Sequence, residues 1–241
     1  MRKPFLWERL FFCIMNNLSI AHKQLLLQRF EAVLTAERRQ KFEQVWLQRN
    51  SCLRLVLENI YQPLNASAIV RTADALGIHN LHIVENEHPW TINRKISKGA
   101  LDWLDIEHSH SIQNTLLTLK TKGFEIAVTD FTPNAIAVYD YKPTRPVAVL
   151  MGTELTGISE EARALADVSL VVPMMGFTQS LNVSVAAGIV LSQLTPATRA
   201  LCKSFPYSEE EKLDALLHWS KNAIYWSDTI IRDFQKEVVG L

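Results

Sequence analysis

Glycine and cysteine are both scarce, eight and three among 241 residues, and the shortage removes several chemistries at once. No G-x-G-x-x-G follows a strand-like run and no G-x-x-x-x-G-K-[ST] occurs, so the dinucleotide fingerprint and the P-loop are both missing. Cys13, Cys52 and Cys202 stand far apart with no C-x-x-C pair, which argues against a disulfide framework or a zinc site and suits a reducing cytoplasm. There is no H-E-x-x-H and no G-x-S-x-G elbow. The seven histidines are scattered. His79 and His82 are expected to flank one strand and His108 and His110 to follow another, in packing or surface roles rather than as metal ligands. No run approaches the ~20 apolar residues of a membrane span. At the start, Glu8 and Arg9 break the apolar stretch after Arg2 and Lys3, leaving only Leu10 to Met15, too short for a signal-peptide core. Residues 1–20 are read as an uninformative extension, with Met15 an equally good start.

Net charge is zero, but it is unevenly spread. Up to Arg54 there are ten Lys or Arg against four Glu, and the remainder carries the opposite excess. Such asymmetry can mark a nucleic-acid-facing arm or simply a solvated helix face. From Ala21 to Arg49 the apolar spacing is helical. Leu53 to Glu58 then reads as a buried strand, Asn65 to Leu76 as a helix with Asn65 as its cap, and Leu81 to Val84 as a strand. Ser111 to Lys122 reads as a helix and Phe124 to Thr129 as a strand. Pro146 to Met151 and Ser169 to Val172 are further strands separated by a helix over Ser159 to Ala166, and Leu181 to Leu194 is a helix rich in small residues. Strands alternating with helices predict an α/β fold with a mainly parallel sheet and helices on both faces. Pro196 and Pro206 predict a hinge before two amphipathic stretches within Ser208 to Val239. The expected divisions are 1–20, a helical arm over 21–50, a core domain over 51–195 and a helical segment over 205–241.

Three stretches are denser in polar groups than a core unit needs. Asn65-Ala-Ser-Ala-Ile-Val-Arg-Thr-Ala-Asp-Ala carries Arg71 two turns beyond Asn65; alone, it is also what a capped helix with a surface arginine looks like. Leu150-Met-Gly-Thr-Glu-Leu-Thr-Gly-Ile runs a buried strand into Gly152, Glu154 and Gly157, as a ligand loop or a tight turn does. Val172-Pro-Met-Met-Gly-Phe-Thr-Gln-Ser-Leu-Asn-Val-Ser-Val-Ala ends a strand, passes a loop and opens a helix near Ser180 and Asn182, a good lip for an anion or ligand.

In composition, order and spacing these three stretches resemble the three motifs of the SpoU/TrmH branch of the SPOUT RNA methyltransferases, over about Leu34 to Leu191. Glu37, Arg38, Arg39 and Gln40 in the helical lead-in, followed by N-x-S-A-I-x-R-T-A-D-A, are most similar to tRNA 2′-O-methyltransferases acting on guanosine 18 of the D-loop. The resemblance implies a C-terminal trefoil knot, S-adenosyl-L-methionine bound in it, and an active site completed across a homodimer. It places Thr129, Gly152, Val172, Met174 and Leu181 in the cofactor pocket, largely through backbone groups. It also assigns Arg71, Asn65, Glu154, Ser180 and Asn182 to the polar catalytic set. In one place the chain departs from the family: where relatives continue in a Gln/Arg-rich helix it reads L-S-Q-L-T-P-A-T-R-A-L, and Pro196 is expected to cut that helix short.

The implied reaction is an in-line methyl transfer to a ribose hydroxyl in the cytoplasm, needing no metal, no DNA and no membrane. The 2′-OH itself sets RNA as the substrate class. The family mechanism gives proton removal to the motif-one arginine. A guanidinium is a permanent cation, however, so a phosphate clamp that steadies developing alkoxide charge is the alternative role for Arg71. RNA contacts are expected from Arg38, Arg39 and Lys41 and from Arg94, Lys95 and Lys98, with Trp90 and Trp103 either stacking on bases or packing in the core. The C-terminal segment is net acidic and is expected to pack rather than bind RNA. Two rival functions remain: ribosomal-RNA ribose methylation, and non-catalytic RNA binding on the same scaffold.

Overall fold

The computed structural model describes residues 18–86, 89–153 and 156–239, which divide into two compact units. One is Gln48–Pro206; the other joins the N-terminal residues up to Leu47 with the chain from Tyr207 onward. In order the elements are α1 (Ile20–Glu31), α2 (Ala36–Trp46), β1 (Leu53–Glu58), α3 (Pro63–Ala75), β2 (Asn80–Val84), α4 (Arg94–Ser97), β3 (Asp105–Ser109) and α5 (Ile112–Thr121). They continue with β4 (Glu125–Thr129), β5 (Ile136–Ala137), β6 (Val147–Met151), α6 (Glu160–Leu165), β7 (Val168–Val171), α7 (Val183–Arg199), α8 (Glu209–Ala223) and α9 (Ser227–Phe234).

In the larger unit the seven strands form one sheet, ordered β3-β2-β1-β6-β4-β7-β5, with every neighbouring pair parallel. Parallel sheets are covered on both faces, so their central strands read as unbroken apolar runs rather than alternations. β1, β2 and β6 are buried along their whole length. Side chains still alternate between faces. Leu53, Leu55 and Leu57 share a core with Ile69, Val70 and Ala73 of α3 and Ala187, Val190 and Leu191 of α7. Val56, Ala148 and Leu150 point the other way, to Leu116 and Leu119 of α5 and Ala162 of α6. Asp167, just ahead of β7, accepts the Ile126 N–H at 2.8 Å and the Lys120 ammonium at 2.6 Å, tying the amino ends of β4 and β7 to the last turn of α5.

Three local expectations are corrected. Asn65 does not cap α3: the helix opens earlier, at Pro63, whose fixed φ and missing N–H suit a first helical position, with Gln62 as N-cap. Pro196 does not cut α7 short, because the helix runs on through it to Arg199. Pro196 is exposed, and so is Ser192 four residues earlier, so the carbonyl that loses its intrahelical partner there faces water. His82 and His108 do not flank or follow strands but lie within β2 and β3.

The smaller unit packs α1 against α8, burying Leu26, Phe30, Leu213, Leu217, Ile231 and Phe234 together. Ser208 and Glu211 form a capping box that starts α8. Phe42 and Trp46 of α2 stack edge-on against Trp219 at 5.6 and 6.1 Å. Within this apolar setting Lys23 is 3% exposed, its Nζ 2.8 Å from Glu210 Oε1 and 3.0 Å from Asp214 Oδ2. Burial pushes the ammonium's pKa down, but the two carboxylates outweigh it and hold the value above the ordinary 10.5. Its stabilisation is therefore complete below pH 10.5 and lost only as pH rises through the folded-state value. Lys23→Met is expected to destabilise this unit by about 1–2 kcal/mol, the half-exposed carboxylates tempering the loss. Adding Asp214→Leu should recover part of it, since the stranded carboxylate is then gone. Denaturant unfolding of the two variants checks both effects; equal stability of Lys23→Met and wild type would reduce the pair to a surface contact.

Candidate functional site

A sheet with all strands parallel brings every carboxyl end to one edge, and loops beyond that edge are where open α/β sheets hold ligands. The first stretch leaves β1, the second leaves β6 and the third leaves β7, while Thr129 closes β4. Residues far apart in sequence therefore converge without any special device.

The convergence is tightest between Asn65 and Asn182. The Asn65 side chain, in the first turn of α3, accepts a hydrogen bond on Oδ1 from Asn182 Nδ2 at 3.1 Å and donates its own Nδ2 to Gln62 Oε1 at 2.9 Å. Asn182 is the N-cap of α7, its Oδ1 accepting from Ser184 N at 2.9 Å and Ser184 Oγ at 2.6 Å. That cap settles the amide's orientation, because an oxygen must face the Ser184 N–H and the nitrogen must then face Asn65. Asn65 is buried and Asn182 exposed, so the pair bridges core and surface where α3 and α7 begin. Arg71 projects from the same α3 and is exposed, and Ser180 lies exposed in the loop before α7. No hydrogen bond or ion pair of Arg71 or Ser180 occurs among the described residues. Of the five expected polar residues, then, Asn65 and Asn182 are joined, Arg71 and Ser180 stand open, and Glu154 lies outside the described residues.

The residues assigned to a cofactor fall along the same edge. Gly152 follows β6 and is buried. A Cβ there would lie 2.2 Å from the Gly157 carbonyl oxygen and 2.4 Å from its carbon, so no side chain fits. Thr153 and Gly157 exchange backbone hydrogen bonds of 2.9 and 3.1 Å, closing the loop, with Gly157 at φ +70. Thr129 Oγ1 donates to the Leu150 carbonyl at 3.1 Å, so its hydroxyl is committed within the sheet. Val172, Met174 and Leu181 are half-buried, whereas Met175 and Phe177 between them are 93% and 107% exposed.

Beside α3 lies a basic lip. Asn93 N donates to Ser67 Oγ at 2.8 Å, holding the segment after β2 against that helix, and α4 presents Arg94 and Lys95, with Lys98 just past its end, all exposed. Arg94 Nη1 reaches Asp102 at 3.4 Å. Trp90 is half-buried and packed against the core, while Trp103 is half-buried with its main-chain carbonyl accepting from Arg49. Arg38, Arg39 and Lys41 are exposed on α2 in the other unit.

The sequence reading passed over two carboxylates. Glu85 accepts the Trp90 N–H at 2.8 Å and pairs with His108 Nδ1 at 2.6 Å. Burial raises its pKa, but these two partners outweigh that and hold it below the ordinary value. Glu58 ends β1, 2% exposed, and its Oε2 accepts the Ser159 N–H at 3.0 Å. The only sign of either in the sequence is a single acid closing or following an apolar strand. Cys52 is pushed up to about 12 by burial and by neighbouring Cys202, so at neutral pH it is a thiol and no nucleophile. Among the described residues no group of three His, Cys, Asp or Glu could hold a metal ion.

With this geometry, comparison with known proteins is specific. Residues 52–192 match the SpoU rRNA Methylase family. A tRNA (guanosine(18)-2′-O)-methyltransferase of Borreliella burgdorferi is 32% identical over 191 residues, covering 79% of this chain and 88% of the relative. The crystal structure of an Aquifex aeolicus TrmH/SpoU tRNA modifying enzyme superposes with a TM-score of 0.67 at 32% identity, covering 78% of this chain and 98% of the other. The SpoU methyltransferase AviRb of Streptomyces viridochromogenes, in complex with the cofactor AdoMet, gives 0.55 at 26% identity, covering 61% of each.

The close approach at Gly152 yields a test of the loop. Gly152→Ala should lower stability by about 3 kcal/mol or more, because the atoms in the way are backbone and cannot rotate aside. Gly188→Ala, within α7 with nothing within 4 Å of the added carbon, should instead stabilise by about 0.5–1 kcal/mol. Thermal unfolding of the two variants distinguishes them, and equal melting temperatures would mean the 152–157 turn opens freely.

Proposed function

The chain belongs to the SpoU rRNA Methylase family, and from that premise we propose that it methylates the ribose 2′-oxygen of a tRNA, at guanosine 18, using S-adenosyl-L-methionine. The observation that carries the site assignment is the Asn65–Asn182 hydrogen bond, which joins the first and third motifs at the sheet's carboxyl edge, with Arg71 exposed on the same helix as Asn65.

The residues at that edge fit the cofactor. Half-buried Val172, Met174 and Leu181 offer apolar walls for a purine, and Gly152 leaves main chain rather than side chain at the end of β6. The Thr129 hydroxyl is bound to Leu150, so Thr129 contributes through its backbone. When bound, S-adenosyl-L-methionine supplies the methyl group as an electrophilic carbon on a sulfonium. The chain's own task is to hold the ribose in line and steady the oxygen as its proton leaves. Arg71 suits that task as a phosphate clamp and charge stabiliser. Ser180 and Glu154 complete the polar set with the asparagine pair, which locks the starts of α3 and α7 in register. Arg94, Lys95 and Lys98 form a phosphate-contacting lip, and Arg38, Arg39 and Lys41 a second basic contact.

A trefoil knot is supported by the strand order. β7 enters between β4 and β5, two strands the chain has already joined. A homodimer that completes the site is supported by exposed apolar side chains at this edge, Phe131, Ile136, Met175 and Phe177. We place the catalytic domain at 51–195, with helical arms over 21–50 and 205–241, in the cytoplasm where tRNA is. No helix among the described residues is long and apolar enough to cross a membrane.

Incubation with labelled cofactor and total RNA, followed by mapping of the modified nucleotide, tests the reading. Label at guanosine 18 is expected, and none on a tRNA carrying 2′-deoxyguanosine there; label confined to ribosomal RNA would favour the alternative substrate, and no label the non-catalytic one. Arg71→Ala should lower turnover by ~10²–10³-fold while leaving cofactor affinity within about twofold, since a charge-stabilising donor acts on the substrate side. Turnover above about a tenth of wild type would place catalysis elsewhere. Lys95→Ala and Lys98→Ala should each flatten the salt dependence of tRNA binding by about one phosphate contact.

A further inference from the structure

Among the described residues of the larger unit Glu58 is the most deeply buried carboxyl, and the reaction as described makes no use of it. It ends β1 one step beyond the Leu57–Met151 pair, at the level where β6 passes into Gly152. Oε2 accepts the Ser159 N–H at 3.0 Å, across 101 residues of sequence, while Oε1 is buried without a hydrogen-bond partner. Burying a carboxyl is costly, and a single bond to one amide returns only part of that cost. As a contribution to stability, an apolar side chain of the same size would serve as well.

What the bond does is fix a place. The segment from Gly152 to Ser159 has three anchors: Gly152 packed against Gly157, the Thr153–Gly157 bridge, and Glu58 on Ser159. Ile158 is buried in the core beside Val56 and Val128, and among the described residues of the loop the third anchor is the one hydrogen bond seen to another strand's side chain. Ser159 is also the N-cap of α6, which Arg163 fastens from the other side, its Nε 2.6 Å from Oδ2 of Asp130, the residue after Thr129. That bond raises the Arg163 pKa further. The far end of the 152–159 loop is thus clamped between β1 and the exit of β4.

We infer that Glu58 is a positioning residue for the cofactor: through the Ser159 N–H it holds the 152–159 loop at the spacing from β4 and β7 that S-adenosyl-L-methionine binding requires. The inference rests on the cofactor reading above, and it concerns affinity for the cofactor, not for tRNA. Glu58 acts through the loop and touches no reacting atom.

Two variants separate placement from folding. Glu58→Gln keeps a carbonyl oxygen for the Ser159 N–H, whereas Glu58→Met fills the same volume without an acceptor. Glu58→Met should raise the calorimetric Kd and the KM for S-adenosyl-L-methionine by about tenfold or more, the equivalent of one lost charge-assisted bond. Its tRNA affinity, and its kcat at saturating cofactor, should stay within about threefold of wild type, while Glu58→Gln restores cofactor affinity to within about threefold. In the wild-type protein the Ser159 amide should exchange its hydrogen slowly, a measurement that holds even if a variant fails to fold. Fast exchange there, or wild-type cofactor affinity in Glu58→Met, overturns the inference and leaves the family function standing. Equal loss in both variants means the side chain serves folding alone and also overturns it. A wild-type protein that binds no S-adenosyl-L-methionine overturns the cofactor reading and this inference together.

Discussion

The direction of the strands governs this molecule. Seven strands run the same way, so each must be followed by a return crossing and each releases its loop at the same edge. The active edge is a by-product of that polarity. Residues 117 positions apart, Asn65 and Asn182, meet because both stand at the first turn of helices that leave the same edge. The helices cover both faces, so the central strands are excluded from water throughout, and the only places left for polar side chains in quantity are the loops. Polarity and burial together gather the polar side chains at one edge.

The two units differ in how they treat charge. In the smaller one, cations are consumed: Lys23 by Glu210 and Asp214, Arg29 by Glu237, and Lys212 by Glu43. Arg38, Arg39 and Lys41 are left exposed on one helix. In the larger one, ion pairs such as Lys120–Asp167 and Arg163–Asp130 pin the scaffold, while Arg71, Lys95 and Lys98 remain open. A net charge of zero conceals this division, in which acids neutralise structural cations and each unit keeps its own exposed set.

How well the sequence announced each part follows from burial. Leu53 to Glu58 and Val147 to Met151 were plain, because a strand covered on both faces has no reason to alternate. Asp105 to Ser109, at the sheet margin, has no apolar run to betray it, and its bounds could not be drawn from D-I-E-H-S. The helix opening at Pro63 was placed late because Asn65 looks like a cap, yet its side chain is spent on Asn182, a tertiary bond that local pattern does not encode. Pro196 misled for the converse reason: its disruptive effect depends on whether the abandoned carbonyl is buried, and here it is not. Three motif stretches were legible as polar anomalies after strands, and the cofactor and substrate class came from their resemblance to the family's motifs. The clamp formed by Glu58 and Ser159 was not, since one acid at the end of a strand carries no spacing signal.

The place of β7 has a consequence for how the protein comes into being. Ribosomes deliver the chain from its amino end, so β1, β2, β3, β4 and β6 can pair with one another as they emerge, whereas β5 has no partner until β7 enters between it and β4. The asparagine that completes the polar pair arrives eleven positions after that strand ends. A nascent polypeptide therefore carries most of its sheet while still lacking the Asn65–Asn182 bond. The proposed site thus assembles only in the step that seats β7 and the start of α7, and a chain cut before Asn182 lacks the pair altogether.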